Sequence, residues 1–264
     1  MKQTQVLMIV SLIWLSMTSV AYAGRPLTID DADPVAKGEA EFEIGLGYQH
    51  DAGLRHWDYP AGLTVGVLEA LEVGVGFGGQ LEQRRLAIED QAGTGDRDNG
   101  VGDPVIASKW QYIGEGSRLG RQALVPSVKL ATADEDRGFG SGETDWDLTW
   151  ILTHAINELA QMHFNAGYSW IGRAEDQDLS DTAHYGLAFD YQLNEASQLV
   201  AEIFAEKERS TGTETLMFYS AGLRYLAIEG LTLDLAAGAG ITRDTPDFMA
   251  TGGLTWAFNT GLIK

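Results

Sequence analysis

Strict alternation of apolar and polar residues runs through most of this chain, and it constrains the possible folds more than any other feature. Residues 39–50, EAEFEIGLGYQH, place Ala40, Phe42, Ile44, Leu46 and Tyr48 on one face and Glu, Gly and Gln on the other. A period of two predicts a β-strand with two unlike faces. The apolar face would meet the core in a soluble sandwich, but lipid in an outer-membrane barrel, where the polar face lines the lumen.

Alternating segments follow one another from residue 38 to residue 258, and they number about twelve, each about ten to thirteen residues long. The second segment covers residues 56–67 and the fifth covers residues 123–133, whereas segment 199–207 departs from the pattern at Val200 and Phe204. The connections after even-numbered segments are mostly short, whereas those after the third, fifth, seventh, ninth and eleventh are often longer and polar. Such asymmetry predicts an all-β fold, an outer-membrane antiparallel barrel with short periplasmic turns and longer extracellular loops.

Residues 1–23 have the features of a cleaved secretory signal peptide. Lys2 supplies a positive charge, residues 6–20 are mostly apolar, and residues 21–23 form an Ala-Tyr-Ala cleavage signal. The alternative is an uncleaved anchor, but the apolar run is short for one. No later run approaches the roughly 18 apolar residues that a spanning helix needs. A mature chain that enters the membrane is therefore expected to do so as a barrel.

Composition and motifs exclude several classes of function. The formal net charge of −20 disfavours nucleic acid as a partner, and the absence of cysteine rules out disulfides and thiolate metal sites. The GVGFGG motif at 74–79 lies inside an alternating segment, not between a strand and a helix, so it does not predict a nucleotide site. The five histidines form no HExxH motif, and GxSxG is missing. We therefore predict no enzyme activity, no cofactor and no metal.

Four segments together resemble the phenol-degradation meta-pathway outer-membrane proteins, a transporter-like family. They are residues 25–48 (RPLTIDDADPVAKGEAEFEIGLGY), 101–112 (VGDPVIASKWQY), 126–150 (PSVKLATADEDRGFGSGETDWDLTW) and 247–258 (DFMATGGLTWAF). The resemblance covers nearly the whole mature chain and rests on the order and spacing of the four segments. It implies a barrel in the bacterial outer membrane and, for some members, genes placed beside those of aromatic degradation.

Polar residues on the inward face are the candidate lumen lining, and acids outnumber bases among them. The set is Glu41, Glu43, Asp58, Glu72, Lys109, Lys129, Asp145, Asp147, His163, Asp190, Glu202, Glu206, Arg224 and Asp234. A negative lumen would favour cations and neutral solutes. The alternative is a closed lumen whose charges pair with one another. Gly45 and Gly47 are expected to leave room at mid-height of the barrel.

The predicted organisation is a signal peptide at 1–23, a periplasmic or plug-like arm at 24–38, the barrel at 39–258 and a tail at 259–264. Four arm residues could bind lumen groups as a plug: Thr28, Asp30, Asp31 and Asp33. The predicted function is passive uptake of small aromatic or apolar solutes; the alternative is a structural or adhesive barrel. Expected partners are a small-molecule solute, outer-membrane lipid and lipopolysaccharide, whereas the oligomeric state is not predicted. Acidic loops could hold divalent cations or simply be solvated.

Overall fold

The computed structural model describes residues 24–51, 54–83, 100–134, 142–172, 180–208, 215–243 and 245–261. The predicted signal peptide and most of the long loops, including the acidic ones, lie outside these residues. The described residues form thirteen strands: β1 (Glu39–Asp51), β2 (Leu54–Asp58), β3 (Ala61–Leu68), β4 (Leu71–Gln83), β5 (Gly100–Ile113), β6 (Arg121–Lys129), β7 (Asp145–Asn157), β8 (Ala160–Trp170), β9 (Thr182–Asn194), β10 (Ser197–Glu208), β11 (Leu216–Ile228), β12 (Leu231–Gly240) and β13 (Phe248–Asn259). Within the same ranges, no helix has the length and apolar character needed to cross a membrane.

The sheet closes on itself. Consecutive strands pair antiparallel around the sheet, and β1 pairs with β13 from Glu39 opposite Asn259 to His50 opposite Phe248. Closure matters because an open edge would leave unpaired backbone groups, which hydrocarbon cannot solvate. The predicted fold class, an antiparallel barrel of about twelve strands, is confirmed.

Strands β2 and β3 are two pieces of a single span. Both pair with β1 on one side and with β4 on the other, and residues Tyr59 and Pro60 separate them. Proline has no N–H to donate to the ladder, but its carbonyl oxygen accepts the Gly45 N–H at 2.9 Å. Thirteen strands thus make twelve spans, and the segment predicted at 56–67 is one span with a break.

The outer face of the barrel is an apolar belt. Phe42, Ile44 and Leu46 are about two-fifths exposed, and the outward Trp146 of β7 is 60% exposed. A water-soluble monomer rarely exposes so large and continuous an apolar surface, whereas lipid covers it in a membrane. The outer belt therefore decides between the two orientations that alternation alone left open.

The two ends of the barrel differ. Two-residue turns join β3 to β4, β7 to β8, β9 to β10 and β11 to β12, and both barrel termini lie at this short-turn end. A seven-residue connection, 114–120, joins β5 to β6 at the same end, and the opposite, long-loop end carries the other connections, of which that between β1 and β2 is the shortest. Strand β6 ends at Lys129, earlier than the predicted residue 133, because the N–H groups of Thr132 and Ala133 donate to the Asp103 side chain, each at 2.7 Å.

Candidate functional site: the barrel lumen

Alternation places the predicted lumen residues opposite the apolar belt, and many of them are buried. Glu41, Lys109, His163, Asp190, Glu202, Arg224 and Asp234 all have less than a tenth of their surface exposed. A buried charge is tolerated only when it is paired or hydrogen-bonded. The partners of these side chains therefore reveal what the interior contains.

The principal partner is the arm, residues 24–38. Its backbone N–H groups donate to Glu202 of β10, Thr153 of β7 and Glu72 of β4, at distances between 2.5 and 2.9 Å. These strands lie far apart around the ring, so a segment that contacts all three crosses the interior. The arm reaches the wall near the short-turn end, where Lys37 forms a parallel bridge with Gly66 of β3.

Arg25 anchors the start of the arm. Its guanidinium donates to Asp234 at 3.2 Å and to Thr251 at 3.2 Å. Gly45 and Gly253 supply the space, because a Cβ on either would lie within 2.5 Å of the guanidinium. The room that we expected at Gly45 is therefore filled by Arg25, and the Asp58 side chain covers the neighbouring Gly47 in the same way.

Arg224 of β11, paired across the strands with Asp234 of β12, also binds the start of the arm. Its guanidinium donates to the backbone oxygens of Gly24 (3.0 Å) and Arg25 (2.5 Å). It also pairs with Asp190 at 2.8 Å, and His163 lies 3.4 Å from the same carboxylate. Arg224 thus holds arm and wall together, with its charge compensated by Asp190.

Glu202 holds the middle of the arm. One carboxylate oxygen accepts the N–H groups of Thr28 and Ile29 at 2.8 and 2.9 Å, and the other accepts the Ser220 hydroxyl at 2.9 Å. Three donors on one buried carboxylate offset much of its desolvation cost. Thr28 is thus bound to the wall through its backbone N–H.

Two basic residues hold the acidic part of the arm. The Lys109 ammonium lies 2.8 Å from the Asp30 carboxylate and 3.6 Å from that of Glu72, and Arg121 pairs with Asp33 at 2.6 Å. Asp31 has its carboxylate bonded to the Asp33 N–H at 2.7 Å. Desolvation inside the barrel raises the pKa of Asp31 to about 7, and the nearby Lys109 charge opposes that shift.

The other predicted lumen residues lie at both ends of the barrel. At the long-loop end, Lys129 pairs with Asp145 at 2.5 Å, and Asp147 accepts the hydroxyls of Thr149 and Ser169 at 2.8 and 2.7 Å. At the short-turn end, Glu43 accepts the Thr255 hydroxyl at 3.3 Å. The last three predicted residues also lie in the interior. Glu41 is buried near Glu43, whereas Asp58 and Glu206 line cavities. That these residues form a conduction path stays a prediction.

Two cavities remain beside the arm. The first has a volume of about 290 Å³, and its lining includes Pro26, Asp58, Phe218, Met249 and Thr251. The second, of about 350 Å³, is lined by residues that include Ile29, Val125, Ile151, His184, Phe204 and Glu206. Thr28 of the arm lines both cavities, so the arm separates one cavity from the other. The interior is narrowed by the arm without being filled.

Residues 23–258 match the family model described as "Putative MetA-pathway of phenol degradation". The chain belongs to this family. That membership, the closed barrel and its apolar belt confirm the predicted resemblance and agree with the predicted location in the bacterial outer membrane. No curated protein matches the sequence.

Several solved structures share the fold of this family member. The COG4313 outer membrane channel from Pseudomonas putida F1 has a TM-score of 0.66 at 13% identity, over 86% of this chain and 98% of the channel. The NanC porin has a TM-score of 0.57 at 10% identity, over 81% and 98% of the two chains. The KdgM porin has a TM-score of 0.56 at 8% identity, over 83% of this chain and 99% of the porin. At such identities the likeness establishes the architecture alone.

Sequence reasoning missed the two arginines that hold the arm, Arg25 and Arg121, and the lumen histidine His184. Arg25 lies in the arm and Arg121 begins β6, so neither was counted on an inward face. His184 does alternate inward, and its ring nitrogen lies 2.9 Å from the Thr149 hydroxyl. A signal existed for the arginines, because so acidic an interior needs cations to be stable.

Proposed function

We propose that this chain is an outer-membrane channel for the passive uptake of small aromatic or apolar solutes. The observation that carries the proposal is the pair of cavities beside the arm, which leave solute-sized space inside a closed barrel. Their walls mix apolar side chains with a few polar groups, a composition typical of sites for small organic molecules. The description of the family, which refers to phenol degradation, supports the same class of solute.

The charge of the interior favours neutral solutes and cations over anions. Asp58 and Glu206 face the cavities, and Asp30 lies beside the second. Carboxylates in a narrow, low-dielectric passage repel an anion more strongly than they would in bulk water. A ring with a hydroxyl group is thus a better candidate solute than a ring with a carboxylate.

The arm is proposed as a plug that sets the width of the channel. Its support is the ring of contacts from β4, β7, β10, β11 and β12, all of which bind arm residues. Three apolar arm residues, Ile29, Ala32 and Val35, are also buried, and Ala32 packs with Ala123 and Ile151.

Uptake measurements on porin-deficient cells that produce the full chain test this function. Lipopolysaccharide makes the outer membrane a barrier to small apolar molecules, so the contribution of a channel is measurable there. We expect radiolabelled phenol to enter at least several-fold faster than into cells with an empty vector. The rate of benzoate entry should increase much less. Equal rates with and without the chain, for a protein shown to be folded by heat-modifiable gel migration, would contradict the proposal.

The second candidate is a structural barrel with a closed, ion-paired lumen. The pairs Arg224–Asp190, Arg25–Asp234 and Lys129–Asp145 favour it, since each neutralises charge within the lumen. Under this alternative, the chain would stabilise the membrane or present its loops without speeding the entry of any solute. The uptake measurement separates the two candidates.

A catalytic role is not proposed. Thr153, His163 and Asp190 lie in a row that resembles a hydrolase triad, with Thr153 Oγ1 at 3.0 Å from the His163 ring and His163 at 3.4 Å from Asp190. However, Thr153 is fully buried, and its hydroxyl accepts the Ala32 N–H at 2.9 Å. A nucleophile must reach its substrate, so we assign this row to holding the arm.

A further inference from the structure

Two phenylalanines occupy inward positions that alternation assigns to polar residues. Phe204 lies on β10 between Glu202 and Glu206, and Phe218 lies on β11 two residues before Ser220. They are direct cross-strand partners, with ring centroids 5.4 Å apart and planes tilted by 39°. Both are partly exposed to the interior, so they form an aromatic surface in an otherwise polar wall.

His184 of β9 extends this surface onto a third strand. Its ring is stacked on that of Phe204, with centroids 6.2 Å apart and planes 26° from parallel. Thr149, 2.9 Å from one ring nitrogen, and Asp147, 3.7 Å from the other, orient the imidazole. We define Phe218, Phe204 and His184 as the ring row, a continuous line of aromatic side chains across three adjacent strands.

The ring row lies directly beyond the arm, on its long-loop side. Phe204 is the next inward residue after Glu202, which holds Thr28 and Ile29. Ile29 packs over Gly186, the residue paired with Phe204, because a Cβ on Gly186 would be 2.4 Å from the Ile29 side chain. Phe218 lines the first cavity, whereas Phe204 and His184 line the second. The row therefore connects the two cavities past the arm.

We propose that the ring row is a stacking path along which a planar, uncharged aromatic solute with a hydrogen-bond donor moves between the two cavities. Rings stack on rings in offset or tilted geometry with an attraction that a saturated ring of similar size cannot match. A donor on the solute has acceptors at both ends, Glu206 in the second cavity and Asp58 in the first.

This inference rests on the proposed function and specifies its solute class: phenols and anilines in preference to cyclohexanols or benzoates. The test compares uptake of phenol and of cyclohexanol, which share size and hydroxyl group but differ in the aromatic face. In porin-deficient cells that produce the full chain, we expect Phe204→Leu and Phe218→Leu to lower phenol uptake by roughly two- to tenfold, the range that loss of one ring contact supports. Cyclohexanol uptake should change by less than about twofold, because it does not stack.

Two further variants complete the test. Phe189→Leu is the matched control, because Phe189 is a phenylalanine on the neighbouring β9 that faces lipid with 41% of its surface exposed; uptake of both solutes should stay at the wild-type rate. Phe204→Tyr keeps the ring and should keep the preference for phenol. Heat-modifiable migration confirms that each variant is folded.

The outcomes distinguish the inference from the function on which it rests. No uptake of either solute by the wild-type chain overturns the proposed function. If the wild-type chain takes up both solutes and Phe204→Leu lowers both uptake rates equally, or lowers neither, the proposed channel function stands and the stacking path is overturned. A selective loss of phenol uptake that Phe204→Tyr restores supports the ring row.

Discussion

Gly45 and Gly253 face each other across β1 and β13, and the Arg25 guanidinium occupies the space that their missing side chains leave. Glycine usually weakens a strand, since it adds no packing and has more backbone freedom to lose. Here two of them form a slot in the wall that accepts a planar cation from the arm. The binding of the arm thus depends partly on two residues that have no side chain.

Substitution of Gly45 by Ala is expected to release the start of the arm while the barrel stays closed. The new Cβ would lie 2.2 Å from the guanidinium, the movable end of a long side chain, so Arg25 gives way and its bonds to Asp234 are lost. Because the chain has no cysteine, Ala32→Cys can serve as a reporter that is buried when the arm is bound. We expect maleimide to label it on the order of tenfold faster in the Gly45→Ala background.

Gly76→Ala is the matched control for that experiment. Gly76 also lies on the inner face, but a Cβ there would meet nothing nearer than a backbone oxygen 4.0 Å away. Labelling should therefore stay at the rate of the reporter alone. Equal acceleration in both backgrounds would mean that the space at Gly45 has no special part in holding the arm.

Asp31 gives arm binding a pH dependence. Its pKa is about 7 when the arm is bound and near 3.8 when the residue is in water. Between these values the bound arm carries more protons than the released arm, so binding weakens as the pH rises from about 4 to about 7 and then levels off. Asp31→Asn should reduce this slope.

The same reporter measures this slope. The labelling rate of Ala32→Cys is divided by that of Ala36→Cys, an exposed arm position, which cancels the effect of pH on thiol reactivity. The ratio should rise with pH in the wild-type background and rise less with Asp31→Asn. A ratio that falls as the pH rises would contradict the assignment.

At the scale of elements, the strands and their faces are predictable because a period of two is a local property. Three strands depart from this simple pattern. The second span breaks at Pro60, β6 ends early because Asp103 captures two backbone N–H groups, and segment 199–207 loses its alternation at Val200 and Phe204. That loss of alternation was the one local sign of the aromatic surface.

The course of the arm could be anticipated only in part. Its polar residues predicted contacts with lumen groups, but each bond joins residues 30 to 200 or more positions apart, as between Arg25 and Asp234. Such pairings depend on the register of the closed ring, which a single sequence does not state. The anchoring role of Arg25 therefore emerges from the structure alone.

Removal of residues 25–36 tests the arm as an element. Loss of the plug should widen the passage, so single-channel conductance in planar bilayers is expected to rise several-fold over the full chain. Glu202, Asp234 and Glu72 would lose their arm partners, so the temperature of the heat-modifiable shift should fall. Ala36→Ser, at an exposed arm position, is the control that should change neither quantity. Unchanged conductance after removal would assign the arm to stability alone.

At the scale of the whole molecule, two surfaces of opposite character meet in one sheet. The outside is an apolar belt suited to lipid, and the inside is an acidic wall whose charges are compensated largely by Lys109, Arg121, Arg224 and the arm's Arg25. The excess of acids among the inward residues predicted the sign of the interior but not its division by the arm. The arm lies between the two solute-sized cavities and separates them.

Gly38, where the arm joins β1, fixes how that arm can move. Its φ of 85° suits glycine. Its N–H donates to Gly66 at 2.9 Å, and its oxygen accepts the Thr260 N–H at 2.9 Å, so the joint is fastened to the rim on both sides. An arm released from its contacts stays tethered there, at an effective concentration that no separate blocker could match. Under the proposed plug role, each barrel carries its own blocking segment, and reclosure is expected to be a first-order process that does not depend on how many copies the membrane holds.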